Sequence, residues 1–93
     1  MFESIIQLGR KTVVAMVHVP ALPGSPGFKP DAGMNRIIDS VVSDLEALQS
    51  GGVDAVMFGN EFDRPYVLKA PPEGLAALAS VIGQVKSMIK GPF

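Results

Sequence analysis

Cysteine is absent from all 93 residues, which excludes a disulfide framework, a thiolate metal site and a cysteine nucleophile, and fits a cytoplasmic compartment. Clustered charge is missing too. Eight Lys and Arg stand against nine Asp and Glu, a formal charge of -1, and neither sign gathers into a run. Phosphate neutralisation needs a concentrated basic surface, so nucleic acid is not an expected partner. The apolar run Val13 to Val17 is far shorter than the ~20 residues that span a bilayer as a helix. The opening Met1-Phe2-Glu3-Ser4 has an early acid and no basic stretch, so no secretory signal pattern is read. A soluble protein without an integral membrane segment is expected, with peripheral membrane attachment left open.

What is present is globular in character: 47% hydrophobic and 18% charged residues. A compact domain of this length buries only about 60 to 65% of the surface its unfolded chain exposes. Its core is therefore small, and any exposed apolar face is costly.

Residues 12–18, Thr-Val-Val-Ala-Met-Val-His, are β-branched and continuously apolar up to His18, the pattern of a strand covered on both faces. From Val19 to Gly27, three prolines and two glycines in nine residues set a stiff, irregular loop. Such loops often carry function. The spacing of Met34, Ile37, Ile38, Val41, Leu45 and Leu48 predicts a helix over 34–50, with Asp31 as a candidate N-cap and Gly51-Gly52 as its stop. A second buried strand is predicted over 53–59, interrupted only by Asp54. A second helix is predicted over 72–89, with Pro72 in its first turn and Leu75, Leu78, Ile82, Val85 and Ile89 facing inward. Lys86 and Lys90 near its end complement the helix dipole.

Strands alternating with amphipathic helices belong to doubly wound sheets or to (β/α)8 barrels. Two parallel strands make too narrow a platform to cover two helices. A closed fold would need further strands, supplied by a missing part of a barrel or by self-association. A barrel runs to ~250 residues, of which this chain would supply about a third.

The segment from Ala15 to Pro26, Ala-Met-Val-His-Val-Pro-Ala-Leu-Pro-Gly-Ser-Pro, resembles the signature after the first strand of BtpA/SgcQ proteins. A second block, Gly51 to Tyr66, resembles that family's second strand and following loop, and Gly91-Pro92-Phe93 resembles the lead into its third strand. The likeness covers nearly the whole chain. The stretch Val56-Met57-Phe58-Gly59-Asn60-Glu61-Phe62 is closer to the SgcQ-like branch. The resemblance implies an α/β protein, the amino-terminal two βα units of a (β/α)8 TIM barrel like the ribulose-phosphate-binding barrels. It also implies a longer parent protein, of which this chain would be an inactive fragment. One branch of the family is associated with photosystem I biogenesis in cyanobacteria and another with sugar-uptake gene clusters in enteric bacteria. No established reaction comes with the likeness.

In such barrels the carboxyl ends of the strands face the active site. That rule selects His18, Asn60, Glu61 and Asp63. His18, the single histidine, could act as general acid or base, bind phosphate or ligate a metal; it could equally anchor a neighbouring loop. Glu61 and Asp63, one residue apart, could project to one side and share a divalent cation or acid/base work. Either could instead face solvent or pair with Arg64. Asn60 could bind a substrate hydroxyl or cap the turn. Asp54, near the amino end of its strand, is expected to stabilise the opposite end of the barrel. Residues 23–27, Pro-Gly-Ser-Pro-Gly, lack the spacing of a known phosphate loop. The leading expectation is that the full-length protein is an enzyme acting on a phosphorylated sugar or nucleoside-like metabolite; the competing one is a non-catalytic assembly or regulatory factor.

Overall fold

The computed structural model describes residues 9–93; the reading of Met1 to Ser4 falls outside them. Two strands, β1 (Val14–His18) and β2 (Ala55–Gly59), form a parallel sheet. Helix α1 (Gly33–Ser50) joins them, and α2 (Pro72–Val85) follows β2, trailed by a 3-10 turn over Lys86–Met88. The order is β-α-β-α, and the parallel register runs from Val14 opposite Ala55 to His18 opposite Gly59.

The core lies between the sheet and the helices. Val17, Val19 and Val56 meet Ile37, Val41 and Leu45 of α1 and Ala77, Val81 and Val85 of α2. Burying such side chains stabilises by about 1.5 to 3 kcal/mol each. Leu22, from the loop after β1, is buried in the same cluster. The proline-rich loop is therefore anchored at its apolar member.

Several details depart from the sequence reading. Both strands begin two residues later than predicted, at Val14 and Ala55. Asp31 is not the N-cap of α1: Ala32 holds that position without a side-chain cap, and the turn is made by Gly33 at φ +69°. The long final helix is cut at Val85, where the backbone tightens into the 3-10 turn before Ile89 extends. Its inner face is also rotated. Val85 is buried as expected, but with Gly74, Ala77 and Val81, while Leu75 is 64% exposed and Leu78, Ile82 and Ile89 are half-buried. At its start Gly74 packs against Pro71 and the Pro23 carbonyl, where an added Cβ would make ordinary van der Waals contact, 3.4 and 3.5 Å away.

The sheet is covered on one side only. Val14, Met16 and Met57 are exposed, Met16 by 43% and Met57 by 54%, on the face away from the helices. Two helices on one side of two strands leave that face open.

Hydrogen bonds tie the ends of the unit. At the amino end of β2, the Asp54 carboxylate receives the Arg10 guanidinium at 2.9 Å and the Val13 N–H at 2.8 Å. The Arg10 hydrogen bond, then the Val13 N–H, hold Asp54 below the usual aspartate range. Gln49 at the end of α1 donates to the Met88 carbonyl and accepts from the Lys90 N–H, at 3.0 and 2.7 Å. On the edge of β2 opposite β1, the Val56 N–H donates to the Pro92 carbonyl at 3.2 Å. Gly91 makes that approach feasible, since a Cβ there would lie 2.9 Å from the Asp54 carbonyl oxygen. Among the described residues no helix is long and apolar enough to cross a membrane.

Candidate functional site

Parallel pairing sends both strands out of the sheet at the same edge. His18 ends β1 opposite Gly59, and the Val19 N–H donates to the Gly59 carbonyl at 2.9 Å. Two loops then rise side by side, the proline-rich one after β1 and the one from Asn60 to Pro71 after β2.

A cavity of about 380 Å³ lies between them. Its walls include Gly24 and Ser25 from the first loop and Asn60, Glu61, Asp63 and Tyr66 from the second. Three of the four candidates from the sequence thus share one groove. His18 opens instead onto an adjoining groove of about 560 Å³ with Met16, Lys29 and Phe62. The Phe62 ring meets His18 edge-on, with ring centres 6.2 Å apart.

Each carboxylate in the first groove has defined partners. Asp63 accepts from the Leu22 N–H at 2.7 Å and from the Asn60 amide at 3.3 Å, while its own N–H donates to the Asn60 carbonyl at 2.9 Å. Asp63 therefore fastens one loop to the other. Glu61 accepts from the Tyr66 hydroxyl at 2.7 Å and pairs with Arg64 at 3.5 Å. The Tyr66 hydrogen bond foremost, and the nearby Arg64 and His18 after it, hold Glu61 below the usual glutamate range. The same bond raises the Tyr66 hydroxyl above its ordinary value. Arg64 also lies over the Tyr66 ring, 5.6 Å from its centre.

The alternative read from the sequence, a pairing with Arg64, is present at Glu61, alongside the bond from Tyr66. Asn60 both bonds Asp63 and lines the groove. No group of three or more His, Cys, Asp or Glu side chains fit to hold a metal occurs among the described residues. Sequence reasoning passed over Ser25 and Tyr66. Tyr66 is the single tyrosine of the chain, set in a loop of charged residues, a signal that was available. Ser25 could not be singled out, because only the folded loop buries its Oγ, which has no hydrogen-bond partner.

The sequence profile of the BtpA family matches residues 9–93. The chain belongs to the BtpA family. It is 57% identical over 83 residues to the putative sgc region protein SgcQ of Escherichia coli (strain K12), covering 89% of this chain and 31% of that protein. It is 36% identical over 87 residues to an uncharacterized protein of Pyrococcus horikoshii, covering 94% of this chain and 33% of the relative. An uncharacterized mitochondrial protein of Caenorhabditis elegans is 34% identical over 84 residues, covering 89% and 30%. The chain thus spans about a third of the length of the curated relatives it matches. No solved structure matches it significantly.

Proposed function

We propose that this chain forms the first two βα units of a (β/α)8 barrel and that the full-length protein is an enzyme acting at the barrel mouth on a phosphorylated sugar or nucleoside-like metabolite. The observation that carries the reading is the shared exit of β1 and β2. His18 opposite Gly59, followed by Asn60, Glu61 and Asp63, gathers the ionisable side chains of both loops at the carboxyl edge of the sheet. That edge is where barrel enzymes keep their chemistry. Two further features support a continuing barrel. The uncovered face with Val14, Met16 and Met57 has the apolar character of a barrel interior. The Val56 N–H bond to Pro92 occupies the open edge of β2, where a third parallel strand would pair.

His18 is assigned to acid/base or phosphate contact and Glu61 to hydrogen bonding or acid/base work. Asn60 is assigned to substrate hydroxyls, and Asp63 to holding the loops. The test is genetic and kinetic. In the full-length protein, with the reading frame followed past the Phe93 codon, His18→Ala and Glu61→Ala are expected to abolish complementation of a deletion strain while leaving protein levels intact. Complementation by both variants would favour a second reading, a non-catalytic assembly factor. That reading draws on the exposed apolar side chains of the loop after β2, Phe62, Tyr66, Val67 and Leu68.

A further inference from the structure

We infer that the groove between the two loops binds the hydroxyl-bearing ring of a sugar, and that any phosphate of the same ligand lies elsewhere. The inference rests on the reading that this edge of the sheet is the functional site, and adds which part of the ligand it holds.

The first step is charge. Among the described residues no lysine or arginine lines the groove, whereas Glu61 and Asp63 do. A phosphate entering it would meet two carboxylates, with the Arg64 guanidinium beside them already paired to Glu61, an unfavourable field in a concave site. A free cation is not favoured either, because both carboxylates are already compensated. Asp63 holds the Leu22 N–H and the Asn60 amide, and Glu61 holds the Tyr66 hydroxyl and the Arg64 guanidinium.

The second step is what remains for a ligand. Among the described residues, both hydrogen bonds to the Glu61 carboxylate fall on Oε1, which leaves Oε2 to accept. The Asn60 side-chain carbonyl is a further acceptor, and its amide carries a second N–H beyond the one given to Asp63. Ser25, in the groove wall, adds a hydroxyl that is turned inward and buried with no partner, a group that costs about 1 to 3 kcal/mol to leave unsatisfied and that a rotation about its Cα–Cβ bond would offer to a ligand. These are neutral-ligand contacts: acceptors with a few donors on one groove, matched by hydroxyls that each donate and accept. A volume of about 380 Å³ lies within the range of small-molecule sites and accommodates a single ring.

The test uses the protein as its gene encodes it, with free pentoses and hexoses, their monophosphates, inorganic phosphate and choline as probes in ligand-observed NMR and calorimetry. At least one unphosphorylated sugar is expected to bind. Ser25→Ala and Asn60→Ala are expected to weaken it roughly tenfold each, the loss of about one hydrogen bond, with inorganic phosphate binding unchanged. Retained secondary structure by circular dichroism checks that the variants fold. Choline or inorganic phosphate bound in dependence on Ser25 and Asn60 would overturn the assignment, as would the absence of binding by every free sugar at millimolar concentration. A sugar phosphate whose binding ignores Ser25 and Asn60 but is lost in His18→Ala overturns the hydroxyl assignment and leaves the mouth reading standing. A sugar that binds regardless of all these residues removes both.

Discussion

Asp63 reaches back 41 residues to accept the backbone N–H of Leu22 at 2.7 Å, and Leu22 is in turn buried in the core. The loop after β2 is thereby referenced to the interior through the loop after β1. Asp63→Ala removes both this bond and the one from Asn60, and is expected to destabilise by roughly 1.5 to 3 kcal/mol, as for hydrogen bonds to a charged group. Hydrogen exchange at the Leu22 amide, read beside denaturant unfolding, is the measurement. An unchanged exchange rate would mean the bond does not hold the loops.

Acid should weaken the opposite end of the sheet through Asp54. Arg10 and the Val13 N–H lower its folded value, so its contribution is complete above the ordinary aspartate value of 3.8. It fades as pH falls through the lowered folded value. Asp54→Asn is expected to lower the melting temperature at neutral pH and to flatten its fall on acidification below pH 3.8. A parallel fall in both proteins would exclude Asp54 as a source of the acid sensitivity.

Two glycines should respond in opposite directions to alanine. Gly83 lies in α2 with nothing within 4 Å of a new Cβ, so Gly83→Ala is expected to stabilise by about 0.5 to 1 kcal/mol. At Gly91 the same change sets a Cβ 2.9 Å from the rigid Asp54 carbonyl. A loss of about 1 to 3 kcal/mol is expected there. Thermal unfolding of the two variants side by side decides it.

The rotated face of α2 is checked by a second pair. Val81 is fully buried and Leu75 is mostly exposed. Val81→Ala is expected to cost about 2 kcal/mol, whereas Leu75→Gln should stay within about 0.5 kcal/mol. Reversal of that order in urea unfolding would restore the face read from the sequence.

The contrast between the two helices shows where sequence legibility ends. In α1, Ile37, Val41 and Leu45 are buried as their spacing implies, because polar residues such as Arg36, Asp39, Ser43 and Glu46 hold the exposed side. In α2 apolar and small residues surround the axis. Pattern favoured the largest side chains, whereas the helix buries Gly74, Ala77 and Val81 together with Val85. The site divided similarly. Strand-end position and charge were enough to find Asn60, Glu61 and Asp63 on one groove. The tie of Asp63 to a backbone N–H, and the burial of Ser25, depend on how two distant loops meet, which no local pattern encodes.

Met16 and Met57 face each other across the sheet in direct register, both substantially exposed. Their thioethers form a built-in chemical gauge of that face. Peroxide converts an accessible methionine to a polar sulfoxide, while a packed one reacts slowly. The mass gained by these two residues during a short oxidant pulse therefore measures how completely the face is covered.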